Sequence, residues 1–209
     1  MFTHSWQNSA RIQTNSWGND NLVGEYSSDS RSADAFLVDY PRFLVLFSAG
    51  DLGSSGNSVT PPGTAKNVLT VGASTTGAQG SIPEGSVPGF SSRGTTLDGR
   101  IKPDLVAPGV MICSARAEEA QFASGATCSS ATHGDGSTPL YMALNGSSMA
   151  TPVVAGAATM VRQYLRQMEG ISEPRSDLIR AILINGAEDI GTPDIPNSAE
   201  GWGQVDVQN

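Results

Sequence analysis

Apolar positions in this chain fall into short blocks separated by polar, glycine- and proline-rich stretches. Phe43-Leu44-Val45-Leu46-Phe47 is a continuous apolar run, the pattern of a strand buried on both faces. Arg11–Trp17, Val68–Val71 and Asp104–Ala107 read as further strands, the last ended by Pro108-Gly109. Helical spacing lies between and after them. Ser30–Asp39 predicts a short helix stopped by Pro41. Ala150–Gln163 predicts a longer one, with Val153, Val154, Ala157, Met160, Val161 and, just past it, Leu165 as the apolar positions. Ser176–Asn185 predicts a last helix with Leu178, Ile179, Ile182 and Leu183 on one face. Gly77–Gly89 and Ala117–Pro139 are rich in Gly, Ser and Thr and read as loops.

Strands alternating with helices predict an α/β fold, a doubly wound, mostly parallel sheet with helices on both faces. Ligands of such sheets bind at the carboxyl ends of the strands. Trp17-Gly18, Ser48-Ala49-Gly50-Asp51 and the segment holding Ser148 fall at such ends or just beyond them. Three separated segments therefore converge on one cleft.

Composition narrows the partners. The chain has 209 residues, a one-domain length, and a net charge of −8. That charge excludes nucleic acid and anionic membranes, which require basic patches. No run of about 18 apolar residues is present to span a bilayer. Met1 to Trp6 carry neither the basic nor the apolar region of a signal peptide. Cys113 and Cys128 form no metal-binding spacing. They either remain thiols or pair, and the long surface segment between them favours the bond. A closed loop of about 15 residues would contribute roughly 3 kcal/mol in the chain-entropy picture.

The chemistry centres on Ser148. It follows Asn145-Gly146-Ser147 and opens a helix of small residues. A hydroxyl there sits among unpaired backbone N–H groups at the positive end of the helix dipole. It can attack a carbonyl while those N–H groups stabilise the oxyanion. A serine in this place can equally be an ordinary N-cap.

The string Gly146-Ser147-Ser148-Met149-Ala150-Thr151-Pro152 resembles the nucleophile motif of the subtilisin-like serine proteases, Gly-Thr-Ser-Met-Ala-x-Pro, with Ser147 in place of threonine. The resemblance continues through Asn15-Ser16-Trp17-Gly18, Phe47-Ser48-Ala49-Gly50, Pro62-Gly63-Thr64-Ala65, Val71-Gly72-Ala73, Phe90-Ser91-Ser92-Arg93-Gly94, Lys102 to Gly109 and Gly201-Trp202-Gly203. Within that family it is most similar to the larger bacterial alkaline subtilases. It implies a partial subtilisin-like peptidase domain over residues 1–209. It implies a secreted serine endopeptidase acting through an acyl-enzyme on Ser148. The substrate is then an extended polypeptide, held by Ser16, Trp17 and Gly18 on one wall and by Ser48, Ala49 and Gly50 on the other. A cis bond before Pro62 follows from the same likeness. Calcium is common in the family, but no Asp-x-Asp-x-Asp-Gly loop gives it a place here.

Two departures weaken the catalytic reading. The family's His-Gly-Thr-His and Asp-Thr/Ser-Gly motifs have no counterpart, and the two histidines, His4 and His133, lack that context. His133 lies in a Gly-rich loop and reads as solvated. The expectation is a fragment without the N-terminal strands and the histidine helix, inactive alone. The alternative is a pseudoprotease, or a peptide-binding module that keeps the cleft without the chemistry. The second departure is Asp51, which stands where the family carries its oxyanion asparagine. A carboxylate cannot donate there unless protonated. A missing neighbour for the strand at Arg11–Trp17 also predicts an open sheet edge, self-association, and exposure of Val45 and Leu46. The acidic residues Glu118, Glu119, Asp194 and Glu200 read as solvated surface.

Overall fold

A computed structural model describes residues 1–75, 85–117, 126–128, 130–132, 134, 136–137, 139–190 and 194–208. His133, Glu118 and Glu119, with parts of both predicted loops, lie outside the described residues. Four strands form a parallel sheet in the order β1 (Ile12–Asn15), β2 (Leu44–Ser48), β3 (Leu69–Ser74) and β6 (Leu105–Pro108). The short strands β4 (Gly94–Thr95) and β5 (Ile101–Lys102) pair with each other in the connection from β3 to β6.

The run at Phe43–Phe47 is apolar throughout because both sides of β2 are covered. Leu44 and Leu46 join Leu69, Val71 and Leu105 beneath helix α3 (Ser147–Gln167). Phe43, Val45 and Phe47 face the other way, against Ala33 and Leu37 of α2 (Ser28–Asp39) and Phe2 and Trp6 of α1 (Phe2–Gln7). Successive side chains of a strand point to opposite faces, so alternate residues feed two cores. Val45 and Leu46 are therefore fully buried, against expectation. The rings of α1 stand over the first and α3 over the second. Strand β1 does lie at the edge of the sheet.

The helices match their patterns with shifted ends. Ser27 caps α2, its hydroxyl accepting from Ser30 N–H at 3.3 Å. Helix α3 begins at Ser147 rather than Ala150 and runs on to Gln167. Its buried stripe includes Ala150, Val154, Ala157, Ala158 and Leu165, whereas Val153 and Met160, expected inside, are exposed. On α4 (Ser176–Asn185), Ile179 and Leu183 are buried but Leu178 and Ile182 are exposed. The apolar stripe on α3 is narrower than the sequence suggests because Ala150, Ala157 and Ala158 supply much of the contact.

A three-stranded antiparallel sheet is the main surprise. Strands β7 (Ile112–Ala115), β9 (Tyr141–Leu144) and β8 (Ala126–Thr127) pair antiparallel in that order. Strand β8 lies inside the stretch read as loop. Cys113 and Cys128 form a disulfide, with Cα atoms 6.1 Å apart and a sequence separation of 15.

A buried ion network ties the start of β6 to its surroundings. Lys102 Nζ donates to Asp104 Oδ2 at 2.6 Å, to Thr70 Oγ1 at 2.9 Å and to Val68 O at 3.2 Å. Arg180 of α4 donates to Asp104 Oδ1 at 2.8 Å, and Thr70 N–H to Oδ2 at 2.7 Å. Burial pushes the Lys102 ammonium down to about 8, against the pull of Asp104. Burial alone would raise the Asp104 carboxyl, but Lys102, Arg180 and the Thr70 N–H hold it below its ordinary value.

Candidate active site

The cleft is built where β1 and β2 end and α3 begins. Asn15, the last residue of β1, donates from Nδ2 to the Leu46 carbonyl at 3.0 Å and so fixes the two strand ends together. Ser16, Trp17 and Gly18 follow. The Trp17 ring stands edge-on to Phe47, 5.3 Å between centroids, with one side left to solvent. Gly18 packs so closely on Thr60 that any Cβ there would overlap the threonine side chain. Gly50, with φ of 105°, turns the chain out of β2. The Pro61–Pro62 bond is cis, as expected.

The opposite rim is the N-terminus of α3. Gly146, buried and with φ of 150°, donates its N–H to Gly109 O at 2.8 Å. Ser147 is completely buried and structural: its Oγ accepts from Gly50 N–H at 3.1 Å, and its carbonyl accepts from Thr151 Oγ1 at 2.7 Å. Ser148 is half-buried, and its carbonyl accepts from Ser16 Oγ at 2.9 Å. Asp51 Oδ1 accepts from Ser147 N–H at 2.8 Å. Glycine at the N-cap has no side chain to cap the helix, so a carboxylate from the end of β2 satisfies one of its free N–H groups. Negative charge at that helix end is favourable.

One cleft of about 330 Å³ brings together Ser148, Asp51, Ser16, Trp17, Gly18, Ser48 and Gly50. Ala49 is the exception. It is fully buried behind the wall, its carbonyl accepting from Thr60 N–H at 2.9 Å, and it does not line the cleft. Alternation along an extended segment turns every second side chain inward, which accounts for it. Asp20, Leu52, Thr60 and Ser147 also line the cleft and were missed. Asp20 could have been found, because it sits two residues past Gly18 on the same wall. Thr60 comes from a distant turn with no local signal.

Among the described residues no histidine lines the cleft. His4 is an exposed residue of α1, its ring 3.5 Å from Asn8 Nδ2. A larger cavity, about 500 Å³, opens between α2 and α4 and contains none of the cleft residues.

Carboxylate oxygens of Asp189, Asp194 and Glu200 lie within 4.8 Å of one another, a donor set that suits a hard divalent cation. Glu200 is not solvated surface. It is buried, accepting from Ile190 N–H at 3.0 Å and Asn197 Nδ2 at 2.7 Å. Asp194 is exposed, as expected. Each Glu200 oxygen thus accepts a hydrogen bond from the protein. No described helix is long and apolar enough to cross a membrane.

A profile of the subtilase family matches residues 2–203. The chain belongs to the subtilase family. This subtilase is 30% identical over 269 residues to the serine protease/ABC transporter B family protein tagB of Dictyostelium discoideum, covering 90% of this chain and 14% of that protein. It is 34% identical over 166 residues to serine protease AprX of Bacillus subtilis, covering 79% of this chain and 34% of AprX. The subtilase therefore spans a minor part of the length of these relatives. Among solved structures it superimposes on the prenylagaramide maturation protease PagA with a TM-score of 0.72 at 22% identity, over 99% of this chain and 62% of that one. A lanthipeptide protease superimposes with the same TM-score at 18% identity. These likenesses establish the subtilisin-like fold, an α/β architecture with a mostly parallel sheet.

Proposed function

We propose that this chain is the nucleophile-bearing part of a serine endopeptidase and that Ser148 is the nucleophile. In the reaction, Ser148 Oγ attacks the scissile carbonyl carbon and its proton passes to a base. The C–N bond breaks, the amine leaves with a proton, and water hydrolyses the resulting ester. The observation that carries the reading is the placement of Ser148 in the first turn of α3, inside the cleft formed by the ends of β1 and β2. The Ser148 N–H, free in that first turn, is the local oxyanion donor. An extended peptide would lie along Ser16-Trp17-Gly18 by strand addition, with Ser48 and Gly50 on the far wall.

The base is the missing part. The cleft offers no histidine among the described residues, and Asp51 brings a carboxylate where an oxyanion donor is needed. We therefore propose that these 209 residues alone bind peptide and do not hydrolyse it. The second reading, a peptide-binding module, rests on the same Asp51 geometry. The disulfide supports a location outside the cytoplasm, because such bonds persist in oxidising compartments. The edge position of β1, with no strand beyond it among the described residues, supports self-association there.

A fluorophosphonate probe tests the catalytic proposal. Incubated with this chain, it should label Ser148 no faster than it labels a Ser148→Ala control. Rapid labelling that disappears in Ser148→Ala would mean that a base is present and would overturn the claim of inactivity. Peptide binding retained in Ser148→Ala is expected under both readings, and its absence from the unaltered chain would refute both.

A further inference from the structure

We infer that the cleft selects a cationic substrate side chain, arginine or lysine, and that Asp20 determines this preference. The inference rests on the reading of the cleft as a peptide site. Two carboxylates, Asp20 and Asp51, line it, and no lysine, arginine or histidine does so among the described residues. The two are not equivalent. Asp51 is held by the Ser147 N–H. Asp20 lies in the short 3-10 turn Asp20–Leu22, is exposed, and makes no side-chain hydrogen bond or ion pair with the described residues. Its charge is free for a ligand.

The apolar surfaces nearby suit the stem of the same side chain. Trp17 is 46% exposed and Leu52 is 43% exposed, both within the cleft. Long cationic side chains lay their methylenes along such surfaces while the charged tip stays in polar surroundings. The Trp17 ring is also open to a cation. Trp6 already carries Arg11 at 4.0 Å and Tyr26 carries Lys66 at 4.8 Å, whereas no described cation stands over Trp17. A glutamate entering the same space would meet two like charges, and a norleucine would gain the stem contact without the charge. The net charge of −8 steers a cationic peptide toward the chain.

Isothermal titration of the 209-residue chain with capped hexapeptides differing at one central residue tests this. The arginine peptide should bind roughly three- to tenfold tighter than the norleucine peptide, with glutamate weakest, given one partly exposed ion pair and one cation–π contact. The gap should narrow in high salt. Asp20→Asn should reduce the arginine advantage to about twofold or less, and Asp20→Lys should transfer the preference to glutamate. Because Asp20 is an exposed, unpaired side chain, the Asn variant keeps the fold, which circular dichroism would verify. Equal affinity for arginine and norleucine, or an arginine advantage undiminished in Asp20→Asn, would overturn the role of Asp20 and leave the peptide cleft standing. Failure of all three peptides to bind would remove the cleft reading and this inference together.

Discussion

The two faces of the parallel sheet are packed by different means. Beneath α3 the contacts are aliphatic and small: Leu44, Leu46, Leu69, Val71 and Leu105 meet Ala150, Val154, Ala157 and Ala158. On the other face six rings assemble, Phe2, Trp6, Phe36, Tyr40, Phe43 and Phe47, with Phe36 stacked on Tyr40 at 4.3 Å. Small residues let α3 approach the sheet closely. A Cβ on Gly109 would come within 2.7 Å of Ala73 Cβ and 2.8 Å of Gly146 O. The start of α3, and Ser148 with it, is thus seated without slack. The ring face supplies buried area, and Trp17 of the cleft leans on it through Phe47. Position is fixed on one face and bulk is provided on the other.

Substitutions can break that contrast, and the largest effect is expected at the ion network. Asp104→Ala would leave the Lys102 ammonium buried without its acid and cost roughly 3–5 kcal/mol, read by urea denaturation. Because the folded Asp104 carboxyl lies below its ordinary value of 3.8, its contribution is complete above that pH and is lost as pH falls through the lowered value. The acid limb of an unfolding titration should therefore flatten in Asp104→Asn. Removing the disulfide by Cys113→Ser with Cys128→Ser should lower stability by about 3 kcal/mol. Peptide affinity should fall as well if the antiparallel sheet helps hold β9 and the α3 start. Gly109→Ala should cost about 1–3 kcal/mol through overpacking. It should also weaken peptide binding, since the clash falls on Gly146. Phe36→Leu on the ring face should cost about 1 kcal/mol and leave peptide binding unchanged. Equal effects of the last two on binding would refute the division of labour between the faces.

The same contrast explains how much was legible beforehand. The strand at Phe43–Phe47 announced itself because both faces are covered, and Pro41 and Pro108-Gly109 marked real boundaries. That the segment holding Ser148 and the ends of β1 and β2 meet in one cleft was readable because each is a contiguous string at a strand end or helix start. Strands β7 and β9 were not. Ile-Cys-Ser-Ala at 112–115 is mostly exposed and Tyr141–Leu144 alternates only weakly, so neither shows the two-residue period of a half-buried strand. Val45 was misjudged because the short helix α1 carries two large rings whose destination is set by tertiary packing, and Leu46 because α3 covers the opposite face. Val153 and Met160 were misjudged because periodicity cannot separate a wide apolar stripe from a narrow one filled by alanine. Glu200 looked like surface because its two donors, Ile190 N–H and Asn197, meet it only once the chain has turned.

The bond from Ser147 N–H to Asp51 has a consequence for how this site can change over generations. Aspartate and asparagine are near-equal helix caps. Asparagine at position 51 could accept the same bond through Oδ1 and turn an N–H toward the cleft. The exchange would leave the helix start seated while altering what the cleft presents to a developing negative charge. An apolar residue at 51 would leave the Ser147 N–H without its acceptor and cost about 1 kcal/mol. Aspartate and asparagine at 51 would thus serve the helix start alike and differ in what they offer the cleft.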